Sequence, residues 1–438
     1  MILGHKIRLA PTLEQAAYFK RAAGTARFVY NWALEAWNRQ YAAGERPNAK
    51  TLKKQFNAIK YEKYPWLVDV HRDSHAQPFA NLAAAWKQYR DALKKGEKAY
   101  QPTFKRKNRS EDKFYVANDK FKVCGQTVTL PMVGKVGMTE ELRFPGKIMA
   151  ATVSRTADDW YISIQVDVPD EAARRKRTKD GVVGVDLGIT TAAALSTGEL
   201  IPSPRPLRAQ LRRLRVRSRR ASRKFEFAKR AAGFAKRARM PKGTRLPVSA
   251  NRHKANRSLA RLHAGVANQR KDFLHKLTTR LCRENQAIGI EDLNVRGMLK
   301  NERLARHISD IGFWMFREQL TYKAKLYGTT IVVADRWFPS SRLCSVCGWK
   351  NSGLTLSQRQ WRCERCHADH HRDLNASKNL EWLATKTALP VASSSGNGGT
   401  AASKFGDVGG KVTSVRYEVG PYDVSGQKET EHFRALSR

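Results

Sequence analysis

A chain of 438 residues with 82 lysines and arginines against 39 acids carries a formal charge of +43, an excess that repels itself unless a polyanion neutralises it. Nucleic acid is therefore the expected partner. No apolar run approaches the roughly 18–20 residues of a membrane span, Met1–Lys6 lacks an apolar signal core, and 41% hydrophobic residues exclude a disordered basic tail, so a cytoplasmic protein of about three domains is expected.

Residues 1–10 read as a short strand. Thr12 and Gln15 then form a capping-box pattern, and apolar residues from Phe19 to Tyr41 recur at helical spacing, which predicts one helix over 12–43. Residues 48–96 continue as helix, with Phe56, Tyr61, Tyr64, Trp66, Trp86 and Tyr89 expected mainly in a bundle core. The span 98–112 is a connector. From 113 the period falls to two: Trp160, Ile162, Ile164, Val166 and Val168 alternate with polar residues, and Thr152 and Ser154 precede them across a turn. Further strands are expected near 120–123 and 127–130. These strands predict a small antiparallel barrel, split in sequence by the helical insertion. The charged stretch 171–180 is a linker.

Residues 181–380 predict one α/β domain. Its strands fall at 182–187, 191–195, 287–291 and 330–334, and its helices at 259–284 and 310–326. Between Arg205 and Arg261 stand 21 lysines or arginines and one acid, Glu226. That imbalance exceeds an ordinary solvated face and predicts a nucleic-acid-facing insertion. The stretch from Leu389 onward, with Ser393–Gly399 of serine, glycine and asparagine, reads as disordered and without a catalytic motif.

Two constellations carry chemistry. Cys344-x-x-Cys347 and Cys363-x-x-Cys366 stand 15 residues apart, and each knuckle offers two thiolates to one ion. Zinc is the first choice and a rubredoxin-like iron centre the rival. A four-sulfur site leaves no position for substrate, so it is structural. His367, His370 and His371 are then expected to face solvent or phosphate. The remaining cysteines, Cys124 and Cys282, are expected as core thiols. The second constellation is a set of isolated acids: Asp186 in an apolar strand, Glu291 at the end of another, and Asp373 just after the knuckle. Buried carboxylates are costly without a cation. Three brought together would hold two divalent ions of the kind that cleave phosphodiesters, with Mg²⁺ suited to oxygen ligands. Walker, dinucleotide-binding and serine-elbow motifs are missing.

Gly184-Val185-Asp186-Leu187-Gly188-Ile189, Asn268–Phe273, Gly289–Leu293, Ser340–Gly348 and Arg372-Asp373-Leu374-Asn375-Ala376 together resemble TnpB, the RNA-guided nucleases of insertion sequences related to type V CRISPR effectors. The resemblance runs from residue 1 to about 385 and is most specific from 181 onward. It implies a multidomain α/β chain. A RuvC (RNase H-like) domain would comprise 179–338 and 371–388, with a basic insertion at 205–261 and a zinc ribbon at 339–370. A wedge barrel would comprise 1–10 and 113–178, a helical recognition domain 11–112, and a disordered tail 389–438. It implies Asp186, Glu291 and Asp373 as the catalytic triad with two Mg²⁺ ions, and the four cysteines as ligands of one Zn²⁺. Arg212, Arg213, Arg215, Arg217, Arg270 and Lys271 are expected at nucleic acid. The implied activity is cutting of double-stranded DNA beside a short adjacent motif, by a monomer carrying guide RNA from the transposon end, in a prokaryotic cytoplasm at the nucleoid. An RNA-guided binder without cleavage and a strand-transfer transposase are the alternatives. Two positions depart from the family pattern: His371 stands where many relatives have Asp, and Ser377 where Ala is usual.

Overall fold

A computed structural model describes residues 1–388, apart from 108, 236–237, 242–243, 245 and 356, together with Thr413–Ser414. The chain divides into two compact units, Met1–Ala173 and Arg174–Arg438.

The first unit runs β1 (Ile2–Ala10), α1 (Leu13–Ala42), α2 (Ala49–Lys63), α3 (Asp73–Lys94), β2 (Lys113–Ala117), β3 (Lys122–Cys124), β4 (Thr127–Leu130), β5 (Gly134–Met138), β6 (Lys147–Thr156), β7 (Asp159–Asp167) and α4 (Asp170–Ala173). The capping box forms as the sequence predicts, with Gln15 N–H donating to Thr12 Oγ1 at 3.2 Å and Thr12 N–H to Gln15 Oε1 at 3.1 Å. The expected continuous helix over 48–96 is broken at Tyr64-Pro65, because the proline ring pushes the preceding residue out of helical geometry. Phe19 and Ala22 of α1 join the sheet core, while Val29, Ala33 and Leu34 join Phe56, Phe79 and Leu82 in a bundle core. One helix thus serves both cores.

The seven strands are ordered β2-β6-β7-β1-β5-β4-β3, with every pair antiparallel. No ladder joins β2 to β3 among the described residues, so the expected barrel lacks a hydrogen-bonded seam. The sheet is nevertheless rolled. Flat, its edge strands would stand about 29 Å apart at ~4.8 Å per strand. Ala117 and Lys122 lie on those opposite edges, and five residue steps reach at most about 18 Å. Cys124 ends the three-residue edge strand β3 and is exposed, which corrects its assignment to the core.

The second unit contains β8 (Gly181–Asp186), β9 (Thr191–Leu195), β10 (Leu200–Pro202), α5 (Pro206–Ala231), α6 (Ala250–Glu284), β11 (Asn285–Glu291), α7 (Val295–Met298), α8 (Ala305–Ile311), α9 (Phe313–Tyr327), β12 (Thr330–Ala334), β13 (Gln360–Arg362), β14 (Asp369–His371), α10 (Arg372–Ala388) and β15 (Thr413–Ser414). Its main sheet is ordered β10-β9-β8-β11-β12-β15. β8, β11 and β12 are parallel, and β9, β10 and β15 run antiparallel to their neighbours. One face carries α6 and α9 through Val183, Val185, Ile288, Ile290, Phe316 and Leu320. The other carries α10 through Val332, Ala334, Leu380 and Ala384.

The expected helix at 259 begins instead at 250, capped by Ser249, whose Oγ accepts from Arg252 N–H at 3.2 Å. The basic insertion and the sheet-packing helix are therefore one rod. The expected helix over 310–326 divides at Gly312, whose φ of 79° places it in the left-handed region. Within the tail 389–438 expected to be disordered, Thr413 and Ser414 pair with Val333 and Val332 as β15, a departure from that expectation, and the rest lies outside the described residues. No helix among the described residues is long and apolar enough to cross a membrane.

Candidate active site

Asp186 is the last residue of β8 and Glu291 the last of β11. These strands are parallel neighbours, so both acids reach the same sheet edge. Side chains alternate across a strand, and Asp186 and Glu291 lie two positions beyond Gly184 and Gly289. Both glycines face α10, so both acids do too. Asp373 enters from the first turn of α10.

The two glycines decide how close that helix comes. They are direct partners across β8 and β11. A Cβ on Gly184 would stand 1.8 Å from Ser377 O and 2.4 Å from Glu381 N, and one on Gly289 would stand 2.2 Å from Leu380 O. The backbone of α10 therefore rests on a side-chain-free strip of sheet, and this contact places Asp373 above the strand ends. Ser377, one of the two departures from the family pattern, is fully buried there and bonds Leu374 O at 2.8 Å.

The carboxyls feel one another. Burial pushes Asp186 well above the ordinary carboxylate range, and the charges of Glu291 and Asp373 push it further. Burial also raises Glu291, against a hydrogen bond from Ser340 Oγ. Arg359 pairs with Asp373 at 2.9 Å. Ser340 and Arg359 come from the cysteine-rich segment; each opens a stretch that carries the family resemblance, Ser340–Gly348 and Arg359-x-Trp361-x-Cys363, but the sequence assigns neither a role. Asn375 and Asn379 explain how that segment is held. Both are buried on α10; their side-chain amides donate to Leu343 O at 2.6 and 2.8 Å, and Asn379 also donates to Ser340 O at 2.7 Å. The Asn375 carbonyl accepts from Ser345 N–H at 2.8 Å.

A pH dependence follows from the raised carboxyls. In the metal-free fold these groups retain protons at pH values where unfolded carboxyls, near pKa 3.9–4.3, have lost them. The folded state then binds more protons than the unfolded one, so stability falls as pH rises from about 4 through the raised values. Thermal melts in chelator at stepped pH should show this decline, and Asp186→Asn should flatten it. A melt that rises over the same interval would contradict the geometry.

The cysteine quartet lies in the segment that holds Ser340 and Arg359. Its four sulfurs all lie within 4.8 Å of one another, with Cys344–Cys366 and Cys347–Cys363 each at 3.6 Å. Tetrahedral ligation with metal–sulfur bonds of ~2.3 Å needs sulfurs about 3.8 Å apart, so the cage fits one ion and no disulfide. His370 departs from its expected exposed position. It is buried, packs on Trp361 with ring centroids 4.6 Å apart and planes tilted by 36°, and sets Nε2 3.0 Å from Cys344 Sγ.

The basic run forms a helical hairpin. Leu207 and Leu214 of α5 meet Val266, Leu262 and Leu259 of α6, so the helices run antiparallel. Arg212, Arg213, Arg215 and Lys271 are exposed, and Arg217 donates to Ser258 O at 2.9 Å. Arg270 does not join them. It is 5% exposed, its Nε donates to Asp310 O at 2.8 Å, and its guanidinium lies 3.6 Å from the Asp310 carboxylate. Asp310 in turn accepts from Leu207 and Arg208 N–H at the start of α5. Arg270 therefore anchors the hairpin and is removed from the expected phosphate-facing set.

Comparison with known proteins bears on the same segments. Residues 163–302 match a family model described as a probable transposase, OrfB_IS605, and residues 313–380 one described as a Cas12f1-like TNB domain. A helix-turn-helix model matches 1–46, a span that folds here as β1 and the single helix α1. A protein of Streptomyces pristinaespiralis named as an RNA-guided DNA endonuclease is 35% identical over 382 residues, covering 86% of this chain and 87% of the relative. The chain belongs to the TnpB family. Another member, InsQ of Escherichia coli, is 28% identical over 394 residues, covering 86% of this chain and 90% of InsQ. Among solved structures, a Cas12f1–sgRNA–target DNA complex overlays with 15% identity and a TM-score of 0.31, covering 87% of this chain and 99% of that one, too loosely to support an argument. The matched segments together include β8, β11, the cysteine-rich region and the first turns of α10, the elements that carry the three acids together with Ser340 and Arg359.

Proposed function

We propose that this TnpB-family chain is an RNA-guided endonuclease that cuts double-stranded DNA with Asp186, Glu291 and Asp373. The observation that carries the reading is the convergence of those acids at one sheet edge, close enough to raise the Asp186 pKa. Three mutually repelling carboxylates fit divalent cations, and oxygen-only ligation favours Mg²⁺. When bound, a pair of such ions supplies an activated water and a counter-charge for the leaving oxygen. The chain's own part is to hold and orient. Gly184 and Gly289 seat the helix bearing Asp373, Ser340 fixes Glu291, and Arg359 offers a guanidinium beside Asp373 that can meet a phosphate. The second unit fits a RuvC, or RNase H-like, nuclease domain. In the first, the rolled sheet fits the wedge and α1–α3 the recognition domain, with a short duplex motif as the expected reading. A guide RNA from the transposon end supplies sequence choice by base pairing.

The test is redirection. The chain purified with its own RNA should cut a matching duplex beside its motif only with Mg²⁺ present, and exchanging the guide segment should move the cut to the new match. Equal cutting by RNA-free protein would overturn the proposal.

The sulfur cage is read as one structural zinc. Cys363→Ser should lose stoichiometric zinc by elemental analysis and, because ribbon folding is coupled to metal, release Ser340 and Arg359 from the site. Iron at one equivalent in the wild type would reject zinc. The basic face of α5 is read as phosphate contacts, with Arg212, Arg213 and Arg215 exposed and Arg217 half-buried against Ser258 O. Replacing Arg212, Arg213, Arg215 and Arg217 by glutamine should lower the salt-dependence slope of RNA binding by about one unit per lost contact. A slope unchanged in filter binding across about 50–200 mM salt would make the hairpin a solvated face.

A further inference from the structure

Two tryptophans stand out in the nuclease unit because nothing covers them among the described residues. Trp337 is 84% exposed and Trp314 is 60% exposed. Trp337 follows β12, whose last residue Ala334 pairs with Glu291, so it sits at the same sheet edge as the catalytic acids. Its position is built. Asp335 Oδ1 accepts from Trp337 N–H at 2.8 Å, and Asp335 O from Phe338 N–H at 3.0 Å, a turn that turns the indole outward. Beside it lies a cleft of about 360 Å³ lined by Asp292, Arg317, Arg336 and Trp337.

Asp292 organises this cleft. It follows Glu291 directly. One of its oxygens accepts from Arg317 at 2.6 Å and the other from Arg336 at 2.8 Å. Arg317 belongs to α9, and Trp314 lies three positions earlier on that helix, so their side chains share a face. The cleft itself is lined by the Trp337 indole and the guanidiniums of Arg336 and Arg317, with Trp314 a turn away on α9 and outside the lining. Two arginines are offset by Asp292 and Asp335, so the cleft adds little net charge. What it offers is aromatic surface with guanidiniums held in fixed directions.

A base in a duplex has both faces covered by its neighbours. An unpaired base has a free face, and base–aromatic stacking accepts any base because every base has one. We infer that the cleft is a nucleotide site for an unpaired stretch of the DNA strand at the active site, one base stacking on Trp337 and the adjoining phosphate meeting Arg336. This rests on the nuclease reading above and adds to it a subsite beside the carboxylates that holds the strand single and steady. Its selectivity is for unpaired over paired bases, and it comes from stacking rather than from charge.

The test uses the full chain carrying Asp186→Ala, so that DNA is bound and not cut. Single-stranded oligonucleotides, the same lengths made abasic, and duplexes are compared by anisotropy. Trp337→Ala should weaken binding of the base-bearing single strand by about tenfold, with abasic and duplex binding and the salt slope unchanged. Trp337→Phe should keep most of the affinity. Photocrosslinking with bromouracil in the single strand should label the peptide holding Trp337. Crosslinks confined to other peptides, or equal loss on base-bearing and abasic strands, would overturn the inference. The readout is binding, so its failure is separate from failure of guided cutting by the wild-type chain.

Discussion

Asp186→Ala is expected to abolish cutting while RNA and target binding persist. The variant removes one of the three carboxylates that converge at the sheet edge, and leaves the +43 charge that drives association almost intact. Divalent ions at such a site are worth several kcal/mol of transition-state stabilisation. A loss of about 4–5 kcal/mol corresponds to a roughly 10³–10⁴-fold lower rate. Single-turnover cleavage beside filter binding on the same preparation checks both halves. The acid also carries a raised pKa in the metal-free fold, so its removal should make that fold more stable, not less. A variant that cuts at the wild-type rate would remove Asp186 from the chemistry. One that neither binds nor cuts would mean the charge had been read wrongly.

Gly184→Ala is expected to be nearly as severe, for a reason unrelated to ligation. The new methyl group would meet the backbone of α10 at Ser377 O and Glu381 N, both far inside contact distance. Backbone in a packed helix cannot swing aside as a side chain can. Overpacking of this kind costs ~1–3 kcal/mol, and the upper end is expected here. The helix must lift, and Asp373 lifts with it. Cutting should fall by about 10²-fold or more while zinc remains at one equivalent, since the cysteines precede α10. Gly289→Ala should act similarly through Leu380 O. Melting temperature, zinc content and cleavage rate together separate a displaced helix from a lost ribbon. Wild-type cleavage in Gly184→Ala would mean that Asp373 is placed by something other than this contact.

Much of the site was legible before any fold was known, and the reason is chemical. A carboxylate at the end of an apolar strand conflicts with its surroundings, so Asp186 and Glu291 announce themselves. Two Cys-x-x-Cys pairs at ribbon spacing have few other uses. The capping box at Thr12 and Gln15 and the alternation of 160–168 are local rules that the folded chain obeys. Local rules also misled. The basic run made Arg270 look like its neighbours, although it points inward to Asp310. The continuous aromatic pattern over 48–96 concealed the break that Pro65 imposes. His370 was placed in solvent because the metal was already saturated, yet it lies against a cysteine sulfur.

What the sequence determined by itself is the chemistry available: the polyanion partner, the four thiolates, and the three acids with their order along the chain. These depend on residue type and on spacing over a few positions, which a linear chain states outright. The tertiary structure decided which groups meet. Gly184 and Gly289 stand 105 positions apart and become one flat strip only when β8 and β11 pair in register. Ser340 and Arg359 reach Glu291 and Asp373 only because Asn375 and Asn379 tie the cysteine-rich segment to α10. Arg317 and Trp337 line one cleft only because α9 and the segment after β12 both meet Asp292, through Arg317 and Arg336. Contacts of this kind depend on backbone approach and strand register, quantities that no short window of residues contains.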